Sequence, residues 1–404
     1  MKRIHLFILS LFLGFFSACQ EEIPVATVFE SPEWTVYLGS DSSIPFFPDG
    51  HSNYFTYSFQ RTKQDSFMVR LKGIYPHARY LSITVYDNAT GNPLTRIKDV
   101  DLDPYPGSVN PFVEGNYMPD QSYELVLLPS HLEMAGFSNV IEFDSSVTNL
   151  SVFIRYYLPR EDSLGGVNLP QIAAFQPSGE QIIAPEALEL SNFISQEDIL
   201  ARIESLKTLL FGVELDSTRQ FFRPTADQSG LYANIDNDYL VSPLTLSNNE
   251  VVLLRWKAPS VAGHFANFHR DVRYYSLSIS DVFSFNYATQ SDEQLYIASD
   301  GFINLVICKS DSAVMAHSTG LNYLQWPSGL VGDEAILLYR NMLTKPNLDH
   351  AITSCTSVTD DILGVLTNPA AFDATVYMGE FAPTGKKMTK QAFFDNFGGI
   401  EVSY

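Results

Sequence analysis

Short segments of the chain alternate apolar and polar positions, and turn-forming residues separate them. Between Arg79 and Asp87 the sequence R-Y-L-S-I-T-V-Y-D places apolar side chains at every second position. Successive side chains of a strand point to opposite faces, so Leu81, Ile83 and Val85 would share one buried face, with small hydroxylated side chains on the other. Turn signals such as N-A-T-G-N-P and D-P-Y-P-G recur at strand-length intervals and end these segments. The pattern predicts a mainly β protein.

The same strand patterns occur twice, in the same order. The segment F-M-V-R-L-K around Arg70 aligns with V-L-L-R-W-K around Arg255, 185 residues later. The segment F-I-R-Y-Y-L around Arg155 aligns with L-Y-R-N-M-L around Arg340 at the same offset of 185. A repeated set of strands indicates a repeated structural unit. We therefore predict two tandem β-sandwich or jelly-roll-like domains with a short helical linker.

An insertion and a helical segment define the expected boundaries. The strand at 79–87 aligns with 273–281 at a larger offset of 194, so the second copy carries nine extra residues near 261–269. Between the copies, apolar positions at helical spacing predict a helix from Ser195 to Gly212. The predicted organisation is a lipoprotein signal peptide at 1–18, a tether at 19–35, a first β domain at 36–185, a helical linker at 186–228, and a second β domain with a C-terminal helical extension at 229–404.

The first residues form a basic and then apolar segment, as in secretory signals. Lys2 and Arg3 precede an apolar run that ends at Phe16. The sequence F-S-A-C then places two small residues directly before Cys19, which predicts lipidation of Cys19, cleavage before it and attachment to a membrane through the lipid. The following Q-E-E resembles the surface-export signal of Bacteroidota-type lipoproteins. That resemblance implies an outer-membrane-anchored lipoprotein of the cell envelope, surface-exposed or periplasmic.

Charge and cysteine content narrow the choice of partners. The formal net charge is −21, so a nucleic-acid backbone would be repelled and no nucleic-acid partner is expected. After processing, Cys308 and Cys355 remain, without the C-x-x-C spacing of redox or zinc sites. We predict two buried free cysteines, with a disulfide as the alternative.

Four arginines recur in strands that are otherwise apolar. They are Arg70 and Arg155 in the first copy, with Arg255 and Arg340 in the second. A buried guanidinium without a partner is costly, so each needs an acceptor. The favoured interpretation is an internal ion pair with an acidic residue of the same copy, and the alternative is an anionic ligand in a cleft.

One acidic run is a candidate metal site. The segment D-V-D-L-D would place Asp99, Asp101 and Asp103 on one strand face, where their carboxylates could present hard oxygen ligands to Ca²⁺. A solvated acidic strand end is the favoured interpretation. No other cofactor is expected.

Aromatic residues in turn-rich segments are candidates for ligand contacts. Rings beside Asn and Asp can stack on the apolar face of a sugar. Two histidines and an aspartate in or beside the insertion of the second copy could line a site formed by that loop. The candidate ligand-binding residues are Tyr105, Phe112, Tyr117, His264, His269, Asp271 and Trp326.

Two motifs resemble a known group of domains. The segment A-R-Y-L-S that ends at Ser82, followed by Tyr86 and Asp87, and the segment R-Y-Y-L-P that begins at Arg155, resemble tandem β-rich bacterial envelope domains of unknown function. That group has an R-Y-W-S-x-x-x-Y-D strand and a closing R-x-Y-x-P strand, and Leu81 stands here in place of its tryptophan. The resemblance implies the fold and the compartment, and it implies no activity.

Three functions are compatible with these features. The favoured one is a non-enzymatic envelope lipoprotein that binds a ligand, such as a glycan, or another surface component. The first alternative is a hydrolase that uses carboxylates such as Asp99, Asp101 or Asp271, although the chain carries no G-x-S-x-G, H-E-x-x-H or phosphate-loop motif. The second alternative is a structural partner in an outer-membrane complex. The expected partners are thus a membrane, through the anchor, and a carbohydrate or an envelope protein.

Overall fold

The structure is a computed structural model of the chain. It describes residues 30–39, 48–132, 136–193, 218–224, 232–261, 270–281, 285–318, 320–330, 333–358 and 367–397, with isolated positions at 195, 197, 201, 263 and 364. Cys19, His264, His269 and most of the predicted linker helix lie outside the described residues.

The first half consists of two five-stranded sheets packed face to face. Its strands are β1 (Thr35–Tyr37), β2 (Ser52–Gln60), β3 (Met68–Ile74), β4 (Tyr80–Asp87), β5 (Asn92–Lys98), β6 (Ser122–Pro129), β7 (Val140–Phe143), β8 (Asn149–Tyr157), β9 (Gln171–Phe175) and β10 (Gln181–Ile182). One sheet has the order β1-β2-β8-β4-β5 and the other β10-β9-β3-β6-β7. Phe55 and Ile83 of the first sheet pack against Leu71 and Leu125 of the second in one core.

The second half has the same two-layer architecture. Its strands are β11 (Thr218–Arg219), β12 (Asn237–Thr245), β13 (Glu250–Lys257), β14 (Tyr274–Ser280), β15 (Asn286–Ser291), β16 (Phe302–Cys308), β17 (Asn322–Gln325), β18 (Glu334–Met342) and β19 (Thr384–Thr389). The sheets have the orders β12-β18-β14-β15 and β11-β19-β13-β16-β17. A separate core lies between them, with Leu277 and Leu337 facing Leu254 and Leu305. The prediction of a mainly β fold with two tandem sandwiches is confirmed.

The two halves share strand order and pairing. The order β2-β8-β4-β5 recurs as β12-β18-β14-β15, and β9-β3-β6-β7 recurs as β19-β13-β16-β17. The one parallel pair described in each half, β6 with β7 and β16 with β17, falls at the same place. Leu158 and Leu343 follow the equivalent strands β8 and β18, and both adopt the same left-handed φ of 47°, which is uncommon for a residue other than glycine.

The register reproduces the offsets found in the sequence. Arg155 in β8 lies opposite Ser82 in β4, and Arg340 in β18 lies opposite Ser276 in β14. A slip of one residue would turn the apolar face of a strand away from the core, so burial specifies the register strongly. Arg155 and Arg340 therefore occupy equivalent positions in the two halves.

The helices within the described ranges are short. Those ranges contain the α-helices Pro111–Glu114, Ser312–His317, Thr375–Met378 and Lys390–Phe397. Single turns of 3-10 helix occur at Asp99–Asp101, Leu190–Asn192, Ile352–Ser354, Pro369–Phe372 and Gly379–Phe381. Within the described ranges, no helix has the length and apolar character needed to cross a membrane. Cys308 and Cys355 are both free and buried, as predicted.

Candidate functional site

The two halves meet where the ends of four equivalent strands come together. The rings of Tyr80 and Tyr157, from β4 and β8, lie 5.5 Å apart, and Tyr274 of β14 lies 5.3 Å from Tyr157. Met342 of β18 completes this buried cluster. The hydroxylated faces of β4 and β14 are also buried, with Ser82 and Ser276 fully removed from solvent. The outer faces of these two sheets therefore lie at the contact between the halves or beneath the segments around it.

Two ion pairs cross this contact in a reciprocal arrangement. Arg273 of the second half donates to Asp99 of the first at 2.9 Å, and Arg79 of the first half donates to Asp292 of the second. Each arginine directly precedes an equivalent strand, β4 or β14, and each aspartate directly follows β5 or β15. In an isologous two-fold contact, residue i meets j while j meets i. The halves thus pack as an internal pseudo-dimer.

Burial dominates the ionisation of both interface aspartates. Removal from water raises the pKa of Asp99, although Arg273 and two backbone N–H groups oppose the shift. Burial likewise raises the pKa of Asp292 against the attraction of Arg79. These ion pairs therefore specify how the halves fit, and their net contribution to stability is reduced by desolvation.

The acidic run is not the favoured solvated strand end, because Asp99 is fully buried, and it does not present the shared face that the alternative calcium site requires. Asp99 and Asp101 lie in a 3-10 turn after β5 and not on a strand face. The Asp99 carboxylate is buried against Arg273, whereas Asp101 pairs with Lys98 at 2.5 Å. The backbone N–H of Asp103 donates to Asn139, and no group of three potential metal ligands converges within the described part of the chain. The prediction of one shared strand face is wrong because Asp99 and Asp101 lie in a turn and their carboxylates pair with different residues.

Arg340 finds its carboxylate in the opposite half. It donates to Asp49, which lies on the approach to β2. Asp49 also accepts from the hydroxyls of Tyr274 and Ser276 at 2.8 and 2.7 Å and from the His51 N–H at 2.9 Å. Burial opposes ionisation, but Arg340 and these donors together hold the pKa of Asp49 below its ordinary value. The prediction of an ion pair within one copy is therefore wrong for Arg340.

Arg155, the counterpart of Arg340, has no carboxylate partner among the described residues. It is 2% exposed and donates to the Tyr232 carbonyl at 2.7 Å and weakly to the Thr84 hydroxyl at 3.4 Å. Its guanidinium lies over the rings of Phe153, Tyr86 and Tyr54, with centroids at 5.2, 5.5 and 5.7 Å. Ring faces and neutral oxygens attract a cation, but they leave its charge uncompensated.

The remaining two arginines have surface roles within their own halves. Arg70 lies 4.1 Å from the Phe175 ring, and Arg255 lies 3.9 Å from the Phe302 ring. Arg255 also pairs with Asp300 of its own half at 2.8 Å. The prediction of a partner within the same copy is confirmed for Arg255.

Both buried arginines line a cavity of about 40 Å³. First-half residues including Arg155 and Tyr157 line it together with Arg340 and Asn234 of the second. A polar cavity of this size exceeds the roughly 10–15 Å³ that a single water needs. The partly exposed Tyr239, also in its wall, marks a side near solvent.

Asn234 presents an unpartnered donor in this wall. Its Oδ1 accepts from the Asp236 N–H at 3.2 Å and lies 3.4 Å from the Tyr80 hydroxyl, which donates its proton to Asp236 Oδ2 at 2.5 Å. Because the Asp236 N–H needs an acceptor at this atom, the other atom of the amide is the Nδ2 donor. That Nδ2 has no hydrogen-bond partner among the described residues, although Asn234 is only 4% exposed. A buried donor without a partner costs free energy and indicates a missing acceptor.

The aromatic candidates of the first half divide between core and surface. Phe112 is fully buried in the core, which excludes it from ligand contact in this conformation. Tyr105 is 38% exposed, and Lys72 Nζ lies 4.8 Å above its ring. Tyr117 stacks on His77 at 4.3 Å.

The candidates of the second half lie elsewhere. Trp326 is 5% exposed and belongs to the core, so it does not form a loop site. Asp271 accepts from the Ser260 N–H at 2.8 Å and lies 4.0 Å from His350 Nε2. The loop candidates that fall in the described ranges therefore do not build a single aromatic ligand site.

Sequence reasoning did not single out Asn234, Asp49 or Tyr232. A signal for the first two was present, because Asn234 follows Asp49 by the repeat offset of 185. The short segments that contain them lie outside the strands, so strand patterns alone gave no alignment there.

Comparison with known proteins shows the fold alone. No family model and no curated protein matches the chain. An uncharacterised protein from Burkholderia cenocepacia is similar in structure, with a TM-score of 0.55, 12% identity, and coverage of 90% of this chain and 83% of that one. The VPA0106 protein from Vibrio parahaemolyticus is more distant, with a TM-score of 0.40, 9% identity, and coverage of 74% and 86%.

Proposed function

We propose that the protein is a lipid-anchored lipoprotein of the outer membrane and cell envelope that binds, without catalysis, the acidic group of a ligand in the cavity between its halves. The observation that carries the proposal is Arg155, a buried cation that has no carboxylate partner among the described residues and lines that cavity. The basic and apolar N-terminal segment before Cys19 supports the anchor and the compartment.

Electrostatics favour an anion at this place. Arg155 and Arg340 bring two positive charges to the cavity, and Asp49 neutralises one of them. The local excess of one positive charge is enclosed largely by aromatic rings and protein, where an uncompensated charge is costly. An anionic ligand group would compensate it and would accept from the unpartnered Asn234 donor.

The carboxylates of the hydrolase alternative are engaged in other contacts. Asp99 is bound to Arg273, and Asp101 is bound to Lys98. Asp271 holds a backbone N–H of its own loop. The acidic-ligand function is therefore the one that the geometry supports best, and an acidic carbohydrate is the ligand that agrees with the glycan hypothesis.

Titration of small anions tests the proposal. We expect acetate, glucuronate, sulfate or phosphate, at constant ionic strength, to raise the melting temperature of the full chain purified in detergent. A ligand at one hundred times its Kd stabilises the folded state by about 2.7 kcal/mol. Arg155→Gln should weaken binding at least tenfold, whereas Arg70→Gln, on a surface arginine, should not. No response of the unaltered protein to any of the four anions would contradict the proposal.

A further inference from the structure

We infer that the ligand group is a carboxylate that takes, beside Arg155, the place that the Asp49 side chain takes beside Arg340. The inference rests on the proposed function and deepens it by naming the chemical class that the cavity accepts. It follows from the internal repeat, because the site around Arg340 already contains a carboxylate, that of Asp49. The equivalent site around Arg155 can be compared with it.

The two sites share three features at equivalent positions. Asp49 and Asn234 lie 185 residues apart, as Arg155 and Arg340 do. Asp49 Oδ1 accepts from a backbone N–H two residues later and from the hydroxyl of Tyr274. Asn234 Oδ1 likewise accepts from a backbone N–H two residues later and lies 3.4 Å from the hydroxyl of Tyr80, the counterpart of Tyr274, although that hydroxyl donates its proton to Asp236 Oδ2. The first oxygen of each side chain therefore accepts the equivalent backbone N–H and lies beside the equivalent tyrosine.

The second atom differs, and the difference is chemical. Asp49 Oδ2 accepts from Ser276 and from the Arg340 guanidinium. Asn234 has an NH₂ group in the same position, which cannot accept, and this group has no partner among the described residues. Within the described part of the chain, Arg155 therefore has no counterpart of the negatively charged oxygen that Asp49 provides to Arg340.

A carboxylate supplies what is missing. It carries one negative charge, which equals the local excess at the cavity, and its two oxygens can accept from the Asn234 amide and from a guanidinium at once. A phosphate dianion would bring a second charge into a wall of aromatic rings, where no further cation among the described residues lines the cavity. The volume of about 40 Å³ is suited to the acidic group of a ligand, with the rest of the ligand outside.

Such a carboxylate could come from a small organic acid or from a uronic acid of a glycan. Both present the same group to Arg155, and they differ in what lies outside the cavity. Titrations with acetate, with glucuronate and with a uronate-terminated oligosaccharide distinguish these sources. Affinity that rises along this series would indicate the glycan, and equal affinities would indicate that only the carboxylate is bound.

The decisive variant is Asn234→Asp, which places a carboxylate in the site from within the chain. We expect N234D to melt at a higher temperature than the unaltered protein without ligand, and to bind acetate and glucuronate at least tenfold more weakly. Asn116→Asp, at an exposed loop position, adds the same charge away from the cavity and should change neither property. Should N234D fail to fold, Asn234→Ala removes the donor, and a several-fold loss of affinity is expected.

Each outcome separates this inference from the proposed function. If the unaltered protein binds sulfate or phosphate through Arg155 more tightly than carboxylates, the inference is overturned and the proposed function stands. Undiminished binding of carboxylates by folded N234D, or by N234A where N234D does not fold, also overturns the inference alone. If no anion binds the unaltered protein, the proposed function fails first.

Discussion

Asp49 and Arg340 are separated by 291 residues in the chain and form a fully buried ion pair between the two halves. The hydroxyls of Tyr274 and Ser276 complete the shell of the carboxylate. The equivalent arginine, Arg155, has no such carboxylate in the ranges that the structure describes. The two arginines occupy equivalent positions, but Arg340 forms a structural ion pair, whereas Arg155 belongs to a candidate ligand site.

Removal of the Asp49 carboxylate should destabilise the protein strongly. Asp49→Ala leaves Arg340 buried without its acidic partner, which typically costs about 3–5 kcal/mol. Denaturant unfolding followed by fluorescence measures the free energy of unfolding. Asp300→Ala, at the solvent-exposed partner of Arg255, is the matched control and should leave that free energy nearly unchanged. Similar losses in both variants would contradict the role assigned to Asp49.

The stabilisation by Asp49 should be lost in acid. Its folded-state pKa lies below the ordinary value of 3.8, so its contribution is present above that value and is lost as pH falls through the folded pKa. The difference in unfolding free energy between the unaltered protein and Asp49→Asn should therefore be constant near neutrality and shrink below about pH 3.8. A difference that grows on acidification would refute this sign.

Asp99 should show the opposite dependence. Burial raises its pKa in the folded state above the ordinary value of 3.8, so its contribution is fully present below that value and is lost as pH rises through the folded pKa. Relative to Asp99→Asn, the unaltered protein should gain stability as pH falls. Denaturant unfolding across the same pH series measures both variants, and parallel slopes for Asp49→Asn and Asp99→Asn would contradict the assignment.

The reciprocal ion pairs should matter more than surface pairs of the same composition. Arg273→Met leaves the buried Asp99 unpaired and also removes two donors to the Arg79 carbonyl, so we expect a loss of about 3–5 kcal/mol. Arg255→Met, at a half-exposed position, should change the unfolding free energy by less than about 0.5 kcal/mol. Equal effects, measured by chemical denaturation, would argue against a specific contact between the halves.

Attachment to the membrane should depend on Cys19 alone among the cysteines. Cys19→Ala removes the thiol that would carry the lipid, so the protein should leave the membrane fraction and lose the mass of a lipid-modified N-terminal peptide. Cys308→Ala, at a buried free thiol, should keep both. Membrane fractionation and mass spectrometry of the N-terminal peptide provide the measurement, and a mature chain that begins at another residue would contradict the lipoprotein proposal.

The sequence by itself determined the sheets. Apolar residues at every second position specify both the strand and the face that it buries, so aligning Arg155 with Arg340 also aligned the registers that the structure displays. The apolar and polar alternation can be read within each single strand. The two copies could therefore be aligned from the sequence alone, with a separation of 185 residues between these arginines.

The tertiary structure decided which charged groups meet. Asp99 resembled a calcium ligand in a run of acids, yet it is buried against Arg273, 174 residues away. Asp49 and Asn234 lie in short segments without periodicity, directly before β2 and β12. Their role becomes visible only in the tertiary structure, where each of these segments packs against the opposite half. Partners across the contact are selected by the packing of distant segments, and no local pattern of hydrophobic and polar residues encodes that packing.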